Sequence, residues 1–184
     1  GHAPGETVSG GTILVKLHGT TVEEALIRAD VAVAATIGPG SLKGEKSPGT
    51  RGKQMAMLRA ELTKAQEYLA KQAKAKPDEP VARDLKLDVW VRVLKGEMPL
   101  MITAQRAQDI DTALRLAQEF KFKLWLDGGS ESYLLADALK QALAGNDGWL
   151  FYRPGVDFLL QPWPGAGEYA PADPLPAISP FRGQ

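Results

Sequence analysis

Two short stretches carry the side chains best placed for chemistry. One runs Ile102-Thr103-Ala104-Gln105-Arg106, with Asp109 three positions on; the other runs Asp127-Gly128-Gly129-Ser130-Glu131. Each follows an apolar run that reads as a strand, Met98 to Thr103 and Lys123 to Leu126, and each leads into a helix-periodic segment. Ligands on parallel βα units gather where strands end and loops begin, so Arg106, Asp109 and Asp127 are the ligand-facing candidates. More ordinary roles compete with that reading. Asp109 would cap its helix, Arg106 would pair with a nearby acid, and Ser130, Glu131 and Asp127 would serve helix capping. Ser130 as a nucleophile would need a base, and no histidine stands near it in sequence.

Other constellations are weaker. The chain has two histidines, His2 and His18, and no cysteine, so thiolate chemistry, disulfides and Cys-based metal sites are excluded. Gly38 to Lys53 is a Gly/Pro-rich loop bearing Lys43, Lys46, Arg51 and Lys53, a composition suited to an anion. It does not meet the phosphate-loop pattern, because Gly44 is followed by Glu45 and Gly52 by Lys53 and Gln54. A solvated loop is the plainer reading. Trp149, Phe151, Tyr152 and Trp163 form an aromatic cluster that could stack a sugar, although such residues beside Pro and Gly more often pin a loop to a core.

The elements that must position these residues are legible in outline. Thr12 to Leu17 is β-prone, Thr20 to Glu24 suits a turn or helix start, and Val31 to Ile37 is a second apolar run. Met55, Leu58, Leu62, Ala65 and Leu69 recur every three or four positions along a long helix, which Lys74, Lys76 and Pro77 end. Leu85, Val89, Trp90 and Val93 mark a second helix; Ile110, Leu114, Ala117 and Phe120 a third; Leu134, Leu135, Ala138 and Leu139 the last. Strands alternating with helices imply a parallel α/β sheet. The 184 residues suffice for one domain with a proper core, and 44% apolar with 24% charged residues is ordinary for a globular chain. The formal net charge of zero gives no electrostatic case for nucleic acid, and no apolar run is long enough to span a membrane. Helical periodicity stops near Ala144, dividing the chain into residues 1–143 and a Pro/Gly-rich tail, 144–184.

Several motifs in order carry a family resemblance: ETVSGGTILVKLHGTTVEEALI, GEKSPGTRGKQMAMLRAELTKAQEYL, MITAQRAQDIDTALRLAQEF and LWLDGGSESYLLADALKQA. Residues from about 5 to 142 resemble the metal-dependent amidohydrolases, in particular the imidazolonepropionase-related branch. The resemblance implies a (β/α)₈ barrel hydrolase that activates water on zinc or another divalent metal. Such a barrel takes about 250 residues, so the chain would form a partial barrel. The family places metal-binding histidines at its first, fifth and sixth strands. Here Thr103, Gln105 and Gly128 stand at the fifth- and sixth-strand positions, and no first-strand His-x-His pair is present. Glutamine binds zinc poorly beside imidazole, and glycine offers no side chain. The resemblance therefore implies a homologue without catalytic or metal-binding residues, expected to hold no cofactor, with a small amide-type ligand or an active paralogue as its partner. A fragment whose other ligands lie elsewhere is the alternative.

The tail motifs GNDGWLFYRPGVDFLLQPWPG and DPLPAISPFRGQ resemble the opening of the alginate O-acetylation proteins, which are SGNH-hydrolase-like acetyltransferases. That family's Ser, Asp and His would lie past Gln184, so none is carried over. The tail leaves a polysaccharide O-acetylation protein as the second functional reading, and its junction with the first part suggests a fusion, a rearranged gene or an assembly artefact. The two resemblances lean towards a periplasmic or secreted setting, although no signal-peptide pattern opens the sequence.

Overall fold

A computed structural model describes residues 6–42, 48–75, 81–144 and 149–151. Its main sheet has five strands in the order β1-β4-β5-β6-β7: Val8–Gly11, Val33–Thr36, Leu100–Ala104, Leu124–Gly128 and Trp149–Phe151. β1 runs antiparallel to β4, and the other four strands are mutually parallel and follow one another in chain order. Helices fill the crossovers: α2 (Arg51–Lys74) and α3 (Leu85–Leu94) between β4 and β5, α4 (Ala107–Phe120) between β5 and β6, and α5 (Ala136–Ala144) between β6 and β7. Among the described residues, no helix is long and apolar enough to cross a membrane.

One core joins these helices to one face of the sheet. Val33, Ala35, Leu100, Ile102, Leu124 and Leu126 alternate along β4, β5 and β6 and pack with Leu58, Leu62, Trp90, Ile110, Leu116 and their neighbours. The intervening residues, Ala34 and Thr36, Met101 and Thr103, Trp125 and Asp127, therefore lie on the opposite face. The polar residues of that set fall at the C-terminal ends of the strands.

Local chemistry explains the helix boundaries. Thr50 caps α2 by accepting from the Lys53 N–H, and Lys71 and Lys74 complement the negative end of its dipole. Asp84 caps α3 by accepting from the Lys86 and Leu87 N–H groups. The Tyr68 hydroxyl ties the two helices together, donating to Asp88 and accepting from the Asp84 N–H, each at 3.2 Å.

The first thirty residues depart from the expectation for Thr12 to Leu17. The strand of the main sheet is β1, which ends before Thr12 and contains Gly10 and Gly11. Of the β-prone run, only Leu14–Val15 (β2) is extended in a ladder. It pairs with Leu26–Arg28 (β3) in a separate two-stranded arm. The tip of this arm is a single helical turn, α1 (Val22–Ala25), capped by Thr21. A two-way hydrogen bond between the Thr12 hydroxyl and the Ala32 backbone closes the arm's base, at 3.1 and 3.2 Å.

Two other expectations shift. The loop drawn from Gly38 to Lys53 is shorter, because Pro39–Ser41 forms a 3₁₀ turn and Arg51 already begins α2. Trp149–Phe151, placed in the tail by the change of composition, forms β7 and pairs with β6. The rest of the tail motif, Tyr152 and Trp163 included, lies outside the described residues, as do His2, Lys43 and Lys46.

Candidate functional site

The strand ends bring most of the chemistry-bearing residues together. β5 and β6 pair in register, Thr103 beside Asp127 and Ala104 beside Gly128. Neighbours in such a ladder project to the same side, and the Thr103 hydroxyl donates to Asp127 Oδ2 at 2.8 Å. Thr36 is the next residue in the row, beside Thr103 on β4. It is 4% exposed, and its hydroxyl has no hydrogen-bond partner among the described residues.

The loops beyond these strands are stitched to each other. The Gly129 N–H donates to the Ala104 carbonyl at 2.7 Å and the Glu131 N–H to the Gln105 carbonyl at 3.0 Å. Gly128 and Gly129 both adopt positive φ, 89° and 81°, a turn suited to glycine. The Gln105 carboxamide bridges the same gap. Its Oε1 accepts from the Ser130 hydroxyl at 2.6 Å and from the Ser130 N–H at 3.3 Å. It also covers Gly128, where a methyl group would stand 2.9 Å from the Gln105 carboxamide carbon.

Asp109 does not cap its own helix, and Arg106 stands at the helix start. Arg106 holds the N-cap position of α4 without a side-chain capping bond. Glu131, reaching over from the β6 loop, accepts from the Ala107 N–H at 2.7 Å instead. Asp109 lies in the first turn of α4, yet its carboxylate turns to Arg51, taking Nε at 2.7 Å and Nη2 at 3.3 Å. The pair is lopsided: the Asp109 side chain is 5% exposed and that of Arg51 38%. Hydrogen bonding to Asp109 pushes the Arg51 guanidinium above its already high value. Gly38, with φ 88°, makes room for this carboxylate, since a methyl group there would lie 2.9 Å from Asp109 Cγ.

Around the pair is a cavity of about 220 Å³, lined also by Ile37, Gln54, Met55 and Thr112. Gln54 is 1% exposed and fully engaged. Its Oε1 accepts from the Gly38 N–H at 2.9 Å, and its Nε2 donates to the Thr36 carbonyl at 3.0 Å and to the Ser41 hydroxyl. Nothing in local periodicity marks the roles of Gln54 and Gly38 or the Arg51–Asp109 pair. The one local hint was Gly38 before Pro39, a dipeptide that signals a turn. His18 sits exposed in the segment between β2 and α1, away from these strand ends in the chain.

The described residues at the family's fifth- and sixth-strand ligand positions offer no imidazole, thiolate or carboxylate for a metal. Thr103 is a donor to Asp127, Gln105 is held by Ser130, and Gly128 has no side chain. Among the described residues, no group of three or more His, Cys, Asp or Glu is arranged to hold an ion.

Comparison with known proteins agrees with this architecture. The chain is similar to the crystal structure of an amidohydrolase from Thermotoga maritima MSB8, with a TM-score of 0.75 and 27% sequence identity. The likeness covers 85% of this chain and 41% of that one, so the chain spans less than half the length of that protein. No family model and no curated protein matches the chain. Fold and site together define a mixed α/β unit of amidohydrolase-like structure, with a parallel sheet and helices.

Proposed function

We propose that the chain is part of a (β/α)₈ barrel of the imidazolonepropionase-related amidohydrolase branch, and that its strand-end site binds a small amide-type ligand without hydrolysing it. Four parallel strands in sequential order, with helices joined to one face, are what a barrel segment requires. In the family, a divalent metal would supply activated water at the strand ends. This chain's residues supply hydrogen bonding there instead: the Gln105 amide, the Ser130 hydroxyl and the Thr103–Asp127 pair.

The observation that carries the non-catalytic reading is the Gln105–Gly128 relation. One expected ligand position is engaged elsewhere and the other is filled by its neighbour. The test is elemental analysis after dialysis against a weak chelator, with an assay on cyclic-amide substrates. The expected result is substoichiometric zinc and iron and no turnover. Near-stoichiometric retained metal, or metal-dependent hydrolysis, overturns the reading.

A further inference from the structure

Gln105 presents a carboxamide to the chain itself. Two donors of one residue, the Ser130 N–H and hydroxyl, converge on its Oε1, and the remainder of the amide occupies the space left by Gly128. Two donors on one oxygen, with room beside them for a planar group, are what a ligand carbonyl needs. The orientation of the amide follows from its partner: the Ser130 N–H can only donate, so the acceptor atom must face it.

The cradle is built by backbone and does not depend on the side chain it holds. The two positive-φ glycines aim the loop, and the Gly129 and Glu131 N–H groups anchor it to the carbonyls of Ala104 and Gln105. None of these bonds involves the Gln105 side chain. Gln105 and Ser130 are both exposed, so a solute can reach the cradle.

We propose that Ser130, with the space over Gly128, is a subsite for a primary carboxamide, occupied in this chain by Gln105 as an internal ligand. The proposal rests on reading the strand-end face as the ligand face, and it adds the ligand class. A tethered group competes at an effective concentration in the millimolar range or above. A free amide must displace Gln105 to bind, so the intact chain binds weakly and a chain with a shortened residue 105 binds better.

The experiment titrates the full chain with propionamide, following the backbone amide resonances of Gly129 and Ser130. Gln105→Ala should show saturable binding at least tenfold tighter than the wild type. Gln105→Ala combined with Ser130→Ala should lose it. In melting experiments, propionamide should raise the Tm of Gln105→Ala and leave that of the wild type unchanged. Gln105→Asn, one methylene short of the cradle, provides the same test should the alanine variant not fold. Equal, unsaturable shifts in variant and wild type overturn the subsite, as do identical shifts with 1-propanol, which has no carbonyl. Metal content and turnover do not enter these measurements. Retained metal would overturn the non-catalytic reading alone, and absent carboxamide binding would overturn the subsite alone.

Discussion

Gln105 and Gly128 share one space at the ends of neighbouring parallel strands: the carboxamide of one lies where the side chain of the other would begin. The glycine is required by its φ of 89°, and a side chain there would also displace the exposed Gln105 amide. Placing an L side chain in the left-handed region costs about 1–2 kcal/mol. Gly128→Ala should therefore destabilise the fold by about 1–2 kcal/mol, with a small further cost for moving the exposed Gln105 amide. Adding Gln105→Ala should cost less than the sum of the two single changes, because the steric part disappears with the amide. Urea denaturation of the three variants checks this, and strict additivity would mean that the two residues do not compete for space.

The Arg51–Asp109 pair makes an unequal prediction. Asp109 is buried and Arg51 is more than a third exposed. Removing the arginine leaves a buried carboxylate without its partner, whereas removing the charge of Asp109 leaves a guanidinium that water can reach. Arg51→Ala should cost about 3 kcal/mol and Asp109→Asn about 1 kcal/mol. Chemical denaturation measures both, and the reverse order would place the carboxylate in contact with solvent.

What was legible in the sequence was whatever depends on local periodicity. The spacing of Met55, Leu58, Leu62 and Ala65 reports the buried stripe of α2 because a helix repeats its face every 3.6 residues, and the same holds for Ile110, Leu114 and Ala117 in α4. Pairing was not legible. Thr12 to Leu17 has the composition of a strand, but β1 lies ahead of it across Gly10 and Gly11, poor strand formers that β4 holds by hydrogen bonding. The site divides the same way. That residues 105 and 128 stand together at strand ends follows from two aligned βα units. That Arg51 answers Asp109, 58 positions away, has no local signal. Nor has the exchange by which Glu131, and not Asp109, serves the start of α4.

Acid should loosen the start of α3 and its tie to Tyr68 on α2. The carboxyl of Asp88 is held below its ordinary range, chiefly by the Arg83 guanidinium at 2.8 Å and also by the Tyr68 hydroxyl at 3.2 Å. A carboxyl lowered in the folded state contributes its stabilisation fully above its unfolded value of about 4 and loses it as pH falls through the folded value. Asp88→Asn should therefore melt below the wild type at pH 7, and the two melting temperatures should converge as pH falls below the unfolded value of about 4 and through the folded one. A gap of constant size across that range would remove Asp88 from the acid response.

Converging side chains at positions 105 and 128 also predict how a metal site could be rebuilt. The end of the Gln105 side chain lies over the position a side chain at 128 would take, so imidazoles at the two positions could approach one ion, each about 2 Å from it. Gln105→His alone supplies one ligand, and Gly128→His alone meets the Gln105 amide. The double change removes that clash and provides both ligands, at the price of the positive φ at 128. Zinc affinity should exceed that of either single variant by more than the product of their separate gains, since a shared ion couples its ligands. Hydrolysis is not expected from two engineered imidazoles alone, because a catalytic zinc takes three protein ligands and an open position for water. Isothermal titration with zinc measures the affinities, and unfolding curves read the strain at 128 separately. Equal affinity for the double variant and Gln105→His would mean that the backbone at residue 128 aims its side chain away from the shared space.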